Sequence, residues 1–345
     1  MSKAKRIIFV TGAKDFTDSL FKSDCRQTKG FIRLGHDTQV FNYRRAFLQA
    51  GPIMSRKFAR RLCKSYVADR LSVKQIKNYK PDIVHIHFAN YLDAKTIMLM
   101  RQAAPDAFFI GSDGDLWPEL HRNRVEAAAE LDLVLTAYEG KGINAYKDAG
   151  VRCVFMPSMC DPDTEYRYEV DAKWKSNILF TGQTRHKHKR YPTKELRYQL
   201  LSRLADMENC ALYGCLGRPK VEGMNYLYAI SGARIGLSIN AVNDVRLCHS
   251  SRLIHYLACG TFVLAKRVPD SELLFKDGIH LRYFDTVEEF FDLANWYLNH
   301  EDERIKIANA GMQHVHTEFN CEKIAKYTMD LIEKGSYSAP WSSGS

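Results

Sequence analysis

The sequence lacks any apolar run long enough to cross a bilayer. Its longest apolar stretches, such as residues 261–265, have the length of a strand, whereas a membrane helix needs roughly 20 such residues. The basic residues at the start lead directly into an apolar strand and not into the apolar region of a signal peptide. These absences predict a cytoplasmic protein without a membrane-spanning segment.

Metal-binding and dinucleotide-binding motifs are also missing. The nine cysteines form no Cys-x-x-Cys pair, and only Cys210 and Cys215 lie close together in the sequence. This spacing fits neither a zinc motif nor a disulfide framework, so we expect reduced thiols and no bound metal. Gly12 follows the first strand without the further glycines of a Gly-x-Gly-x-x-Gly fingerprint, which argues against a dehydrogenase.

Acidic residues are scarce in one stretch. Residues 44–80 contain eleven Lys and Arg against one acid, Asp69. The net charge of +10 arises wholly in residues 1–160, which hold 26 basic and 16 acidic residues, because residues 161–345 hold 24 of each. The basic stretch is either a solvated helical face or a surface for anionic partners such as a membrane. Its aromatic residues are widely spaced, which makes nucleic acid an unlikely partner.

Strand and helix patterns alternate along the first half of the chain. Apolar strand patterns are separated by helical spacing or by glycine turns, one of them at residues 111–115, and this alternation is typical of a parallel, doubly wound sheet. The predicted strands occupy residues 6–12, 38–41, 83–88, 107–110, 131–136 and 151–156.

The pattern then restarts and predicts a second sheet. Its strands are expected at residues 177–182, 210–214, 233–240, 262–265 and 280–284, with helices around 194–206, 251–258, 286–299 and 301–316. The fold class is therefore α/β, with two Rossmann-like doubly wound domains facing a cleft. The expected boundaries are an N-terminal domain at 1–160, a linker at 161–176, a C-terminal domain at 177–320, a helix crossing back at 321–334 and a disordered tail at 335–345.

The stretch from Ser250 to Leu264 carries the strongest functional pattern. Two serines open a helix, Arg252 stands in its first turn, and Gly260 ends the helix before a buried strand. The free amides of such a first turn suit a phosphate. In order and spacing, the stretch resembles the nucleotide-binding segment of GT-B glycosyltransferases, most closely the spore-maturation-protein (CgeB-like) branch of the glycosyl transferases group 1. It departs at His255 and Leu247, where many members carry glutamates.

The resemblance implies a donor site for a nucleoside diphosphate sugar in the second domain, with no obligatory metal or other cofactor. Basic side chains and a helix N-terminus would neutralise the leaving diphosphate. Arg197 lies on the helix predicted around residues 194–206, and it is similar to an arginine that the related branch carries on this helix. The predicted nucleotide-sugar-binding residues are Gly182, Arg185, Lys189, Arg190, Asn240, Ser250, Ser251, Arg252 and His255.

The first domain offers candidates for a general base. Asp113 and Asp115 follow a predicted strand, and His87 ends another beside His85, which is more typical of a core histidine. An inverting enzyme would use Asp113, His87 or Asp115 to take the acceptor proton, whereas a retaining one needs no such base. Asp113 and Asp115 also spell the metal-chelating Asp-x-Asp of another glycosyltransferase fold, although a tight turn explains the same three residues.

These observations predict a cytoplasmic hexosyltransferase-type enzyme, which could also be peripheral at the inner membrane face. Its acceptor would be a cell-envelope glycan or lipid-linked precursor, bound with the help of Gly12, Arg44 and Arg45. Two alternatives remain open. A catalytically silent GT-B-like protein could bind nucleotide or glycan as a scaffold, and a sugar-nucleotide epimerase or hydrolase could use the same fold.

Overall fold

The structure is a computed structural model of the chain. It describes residues 3–12, 23–43, 45–46, 70–87, 92–114, 116, 120–182 and 194–342. The chain divides into two compact units, which are described separately. The first unit is Met1–Met156 with Ile324–Tyr337, and the second is Pro157–Lys323 with Ser338–Ser345.

The first unit is built on a parallel sheet of six strands in the order β2-β1-β3-β4-β5-β6. Its inner strands are apolar on both faces, as expected when helices cover a parallel sheet on both sides. The chain order reverses between β1 and β3, which are direct neighbours with Phe9 opposite His85. The strands are β1 (Arg6–Thr11), β2 (Asp37–Asn42), β3 (Ile83–His87), β4 (Phe108–Asp113), β5 (Leu133–Thr136) and β6 (Cys153–Phe155).

Helices connect these strands. Asp93 caps one of them, because its Oδ1 accepts a hydrogen bond of 3.1 Å from the backbone amide of Thr96. A short 3-10 helix, Gly140–Ile143, precedes the last. The described helices of this unit are α1 (Ser23–Arg33), α2 (Ser72–Tyr79), α3 (Ala94–Ala103), α4 (Arg122–Ala129) and α5 (Asn144–Asp148).

The second unit has a parallel sheet of five strands in the order β11-β10-β9-β7-β8. The chain order reverses between β7 and β9, where Ile178 lies opposite Ile235. Its core includes the buried rings of Phe180, Phe262 and Phe290. The strands are β7 (Ser176–Thr181), β8 (Cys210–Tyr213), β9 (Ala233–Ser238), β10 (Phe262–Lys266) and β11 (Arg282–Phe284).

The second unit's helices lie close to the predicted positions, apart from one that the sequence pattern did not predict, Met224–Gly232. Short 3-10 helices occur at Ala172–Trp174 and Ser271–Leu273. The described helices are α6 (Lys194–Ala205), α7 (Met224–Gly232), α8 (Ser251–Ala258), α9 (Val287–Asn299), α10 (Glu301–Glu318) and α11 (Cys321–Lys334), of which α11 continues into the first unit from Ile324.

Two segments differ from the sequence-based expectation. Strand β4 continues through Ser112 and Asp113, where a turn was predicted, because both polar side chains find buried partners. The terminal segment was predicted to be disordered, yet it packs as far as Ser342. The Tyr337 hydroxyl donates a 2.7 Å hydrogen bond to the Phe155 carbonyl, and Trp341 stacks on Phe319 with ring centroids 4.9 Å apart.

In the part of the chain that the structure describes, no helix is both long and apolar enough to cross a bilayer.

Candidate functional site

In the second unit, the carboxyl ends of β7 and β9 lie on either side of the point where the strand order reverses. Ligands of open parallel α/β sheets usually bind at the carboxyl edge beside such a point. At this edge, Gly182 follows β7, Asn240 follows β9, and α8 begins at Ser251. We call this group the carboxyl-edge site, defined by Gly182, Arg197, Asn240, Ser250, Ser251 and Arg252.

Arg252 joins the two strand ends. Its guanidinium donates to the Thr181 carbonyl at the end of β7 and, over 2.9 Å, to the Ile239 carbonyl after β9. The carbon of the guanidinium lies 4.6 Å from the centre of the Phe180 ring. Among the described residues, no carboxylate forms an ion pair with Arg252. Burial lowers the pKa of its guanidinium, because the positive charge is poorly solvated there. An anion bound beside the guanidinium would stabilise that charge.

Arg197 brings a second positive charge to the same ring. It lies on α6, and its guanidinium carbon is 5.1 Å from the centre of the Phe180 ring. Burial lowers the pKa of Arg197, and the positive charge of Arg252 lowers it further. The two guanidinium groups are half-buried and repel each other. A multiply charged anion bound between them would offset this repulsion, so together they form a natural anion site.

Gly182 leaves the space that these two arginines occupy. A methyl group on its Cα would lie 2.5 Å from Nη1 of Arg252 and 3.2 Å from Nη2 of Arg197. Any larger residue would push both guanidinium groups away from the strand end. The predicted role of Gly182 is therefore compatible with its position beside the charges.

Asn240 holds the loop that precedes α8. Its Nδ2 donates a 2.6 Å hydrogen bond to the Cys248 carbonyl, and its Oδ1 accepts a 3.0 Å bond from the Ser250 amide. Both ends of the side chain are thus occupied by the loop. This geometry makes Asn240 a positioning residue for the start of α8.

Ser250 occupies the N-cap position of α8, but its hydroxyl does not cap the helix. The hydroxyl instead accepts a 3.1 Å hydrogen bond from Arg252. Ser251 is exposed, and its hydroxyl lies 3.1 Å from that of Ser158. Because no serine side chain caps the first turn, its backbone amides can face a ligand.

His255 lies one turn further along α8 and is 9% exposed. Its Nδ1 is 3.0 Å from the Tyr226 hydroxyl, and its Nε2 is 3.9 Å from a carboxylate oxygen of Glu165, which is fully buried. The imidazole is thus held between a phenol and a carboxylate. Its predicted contact with the nucleotide stays a prediction.

Sequence reasoning missed two aromatic residues of this edge. Phe180 provides the ring under both guanidinium groups, and the Tyr256 hydroxyl accepts a 2.8 Å hydrogen bond from the Thr181 amide. Both were assigned only to apolar strand or helix patterns. An aromatic residue just before a strand-ending Thr-Gly, followed by an arginine-bearing helix, is the signal that could have found Phe180. Arg185, Lys189 and Arg190 lie outside the described residues.

In the first unit, Asp113 lies in a closed network of side chains. Its carboxylate is fully buried and accepts hydrogen bonds from Arg124 at 2.9 Å, from Tyr146 at 2.6 Å and from Tyr138 at 3.3 Å. Burial and the carboxylate raise the pKa of both tyrosines, which keeps them as donors. This geometry favours a structural role for Asp113 over the predicted role as general base.

His87 and Gly12 lie beside the reversal point of the first sheet. His87 ends β3 and is half-buried, and Gly12 follows β1. A methyl group on Gly12 would collide with the Tyr43 hydroxyl oxygen, so a larger residue fits there only if the Tyr43 ring moves. Arg45 is exposed beyond β2. The structure thus brings His87 and Gly12 to one edge of the sheet, whereas Asp115 and Arg44 lie outside the residues that it describes.

His85 is a core histidine. It is 1% exposed, stacks on Phe9 with ring centroids 4.5 Å apart, and its Nε2 lies 2.6 Å from the Ser112 hydroxyl. Burial, with a smaller effect of His87, lowers the pKa of His85 to about 3.

The protein should therefore lose stability in mild acid. The unfolded chain binds a proton at His85 below pH about 6.5 while the folded protein does not, so stability falls as pH drops below that value. Between pH 7 and pH 5 we expect His85 alone to lower the free energy of unfolding by about 2 kcal/mol. Urea unfolding at the two pH values tests this, with His85→Gln as comparison. An equal loss in the variant would contradict the assignment.

No group of three or more His, Cys, Asp or Glu side chains within the described ranges is arranged to hold a metal ion.

Comparisons with known proteins identify the fold. Residues 188–330 match the family model described as glycosyl transferase-like. A glycosyltransferase from Rickettsia africae has a TM-score of 0.63 at 13% identity, covering 96% of this chain and 98% of that one. The chain has the GT-B fold.

Two further structures with this fold illustrate its range. Anabaena HepE, solved in complex with UDP and glucose, has a TM-score of 0.59 at 10% identity, covering 96% of this chain and all of that one. A putative UDP-N-acetylglucosamine 2-epimerase from Listeria monocytogenes has a TM-score of 0.54 at 10% identity, covering 96% and 97%. No curated protein matches the sequence.

Proposed function

We propose that this GT-B protein is a glycosyltransferase that uses a nucleoside diphosphate sugar as its donor. The observation that carries the proposal is the convergence of Arg197 and Arg252 on the Phe180 ring, at the reversal point of the second sheet. The glycosyl transferase-like match over residues 188–330 includes both arginines and supports transfer over the epimerase alternative. UDP bound to the structural neighbour HepE suggests the first nucleotide to test.

The carboxyl-edge site suits the charge change of glycosyl transfer. As the bond from the anomeric carbon to the diphosphate breaks, negative charge grows on the diphosphate oxygens. Two guanidinium groups and the first-turn amides of α8, already fixed in place, would stabilise that charge without a metal ion. Fixed donors of this kind lower the barrier because they need no reorganisation during the reaction.

We propose that the acceptor binds to the first unit. If the reaction inverts the anomeric centre, His87 is our first choice of general base, since Asp113 is occupied by Arg124 and two tyrosines. Asp115 is the second choice. Gly12, Arg44 and Arg45 would contact the acceptor, which we take to be a cell-envelope glycan or a lipid-linked precursor.

The basic stretch at residues 44–80 supports attachment to an anionic membrane surface. Its described basic side chains are all exposed, and near an anionic bilayer each would contribute about 1 kcal/mol. They are Arg45, Arg70, Lys74, Lys77 and Lys80.

A thermal-shift titration with UDP, GDP, ADP, CMP and dTDP tests the donor proposal. One nucleotide should raise the melting temperature, with about 2.7 kcal/mol of stabilisation at 100 times its dissociation constant, and EDTA should not change the rise. The matching hexose donor should then glycosylate an envelope glycan or lipid-linked acceptor. If no nucleotide shifts the melting temperature, the donor proposal fails and the scaffold alternative gains. Sugar release or epimerisation without acceptor transfer would favour the hydrolase or epimerase alternative.

A further inference from the structure

The second unit has a large cavity at the amino edge of its sheet, opposite the carboxyl-edge site. Its volume is about 830 Å³, within the range of small-molecule pockets. Ser176 begins β7 and lines this cavity, whereas Thr181 ends the same strand at the carboxyl edge, about 17 Å away. We call it the amino-edge cavity. The lining residues that matter for its chemistry are Arg167, Glu169, Lys175, Ser176, Arg234 and Glu301.

Cations outnumber carboxylates around this cavity. Arg167 and Lys175 are exposed, and neither side chain has a hydrogen bond or ion pair among the described residues. Arg304, which is 4% exposed, adds a further positive charge nearby. Its Nη1 donates a 3.3 Å hydrogen bond to the Arg234 carbonyl, and its Nη2 donates a 2.8 Å hydrogen bond to Glu301.

The positive charges around the cavity repel one another. Burial lowers the pKa of Arg304, and the charges of Arg234 and Arg167 lower it further, while Glu301 opposes them. Glu301 is already engaged by Arg304. Three cations and two carboxylates line the cavity, and Arg304 adds a fourth positive charge, so a dianion in the cavity would offset the excess positive charge.

A buried hydroxyl in the cavity wall also lacks a partner. Ser176 is 8% exposed, and its Oγ makes no hydrogen bond in the structure. Buried hydroxyl groups are normally satisfied, because an unsatisfied one costs about 1–3 kcal/mol. Neutral polar residues, Asn177, Asn209 and Ser231, line the cavity beside it. Such a wall suits the hydroxyl groups of a sugar.

We infer that the amino-edge cavity binds a phosphorylated sugar, separate from the donor. Arg167, Lys175 and Arg234 would hold the phosphate, and Ser176 would contact a sugar hydroxyl. A free phosphate ion would fill only a small part of the cavity volume, so the sugar portion should add affinity. Because the cavity lies at the opposite edge of the sheet, this site does not depend on the proposed function.

Isothermal titration with glucose 6-phosphate and with inorganic phosphate tests the inference. Glucose 6-phosphate should bind more tightly than inorganic phosphate. The double variant Arg167→Ala/Lys175→Ala should weaken binding by about tenfold or more, because two charge-assisted contacts are lost. Lys173→Ala, which removes an exposed charge outside the cavity, and Arg252→Met, at the other edge, should bind as the wild type does.

Four results would overturn the inference. The first is that glucose 6-phosphate does not bind, the second is that inorganic phosphate binds equally well, and the third is that the double variant binds as the wild type does. The fourth is loss of binding in Arg252→Met, which would place the ligand at the carboxyl-edge site instead. The first three leave the donor proposal untouched, since that proposal is tested with nucleotides.

Ser176→Ala separates a ligand contact from a structural role. Because the hydroxyl has no partner in the ligand-free protein, its removal should leave the melting temperature unchanged or raise it, while glucose 6-phosphate binding weakens. A lowered melting temperature with unchanged binding would show a purely structural role and would overturn the assignment of Ser176.

Discussion

Arg252→Met should weaken nucleoside diphosphate binding by about 100-fold, which corresponds to about 2.7 kcal/mol. The guanidinium of Arg252 links the ends of β7 and β9 and stands with Arg197 over Phe180. Methionine keeps the length and apolar character of the side chain but removes the charge and all the donors. Titration calorimetry with UDP, or with whichever nucleotide the thermal-shift panel selects, measures the loss.

Two matched variants sharpen this prediction. Arg197 and Arg203 lie on the same helix, α6, and each has its guanidinium over a phenylalanine ring. Only Arg197 belongs to the carboxyl-edge site, whereas Arg203 lies over Phe291 and faces Glu288. Arg197→Met should therefore weaken binding, and Arg203→Met should not. Equal effects of the two, or wild-type affinity of a folded Arg252→Met protein, would contradict the donor assignment.

Asp113→Ala should lower the free energy of unfolding by about 3–5 kcal/mol. The substitution removes the buried carboxylate that faces Arg124, whose side chain is 13% exposed, and it also takes an acceptor from two buried tyrosines. Losing one partner of a buried pair costs more than the pair contributes, because the remaining charge stays out of water. Urea unfolding measures the change.

Glu126→Ala is the matched control on the adjoining helix. Glu126 pairs with Arg122 at 2.7 Å, but both side chains are largely exposed, so the control should change stability by about 0.5 kcal/mol or less. Activity per folded molecule completes the test. If Asp113→Ala or Asp113→Asn has wild-type stability but no activity, Asp113 is the general base and the structural interpretation is wrong.

The GT-B fold could be predicted from the sequence because parallel sheets leave a strong local pattern. Strands buried on both faces appear as short apolar runs, and the Ser250-to-Leu264 stretch adds a helix start, a glycine stop and a strand in the right order. The helices α1 and α7 were missed for the opposite reason. Six of the nine residues of α7 are aromatic or apolar, so this helix shows no clear amphipathic stripe, whereas α1 is mostly polar and has few apolar residues to mark its buried face.

The site was only partly predictable. Arg252 and Gly182 followed from local pattern, because a helix start and a strand end are visible in the sequence. The contact of Arg197 with Phe180 depends on packing between a helix and a strand, and the hydrogen bond from Asn240 to the Cys248 carbonyl depends on the path of the loop between these two residues. The network around Asp113 shows the same limit. An aspartate at the end of a strand suggests a general base. Its carboxylate is instead hydrogen-bonded by Arg124, Tyr138 and Tyr146, which belong to later elements of the chain.

The most direct test of the central claim is hydrogen exchange of the whole protein with and without UDP, read by mass spectrometry. The claim is that the diphosphate binds at the carboxyl-edge site. UDP should then slow exchange in peptides that contain Thr181–Gly182 and in those that contain the first turn of α8, from Ser250 to Leu253. Protection confined to the first unit or to the amino-edge cavity, with no change at α8, would contradict it.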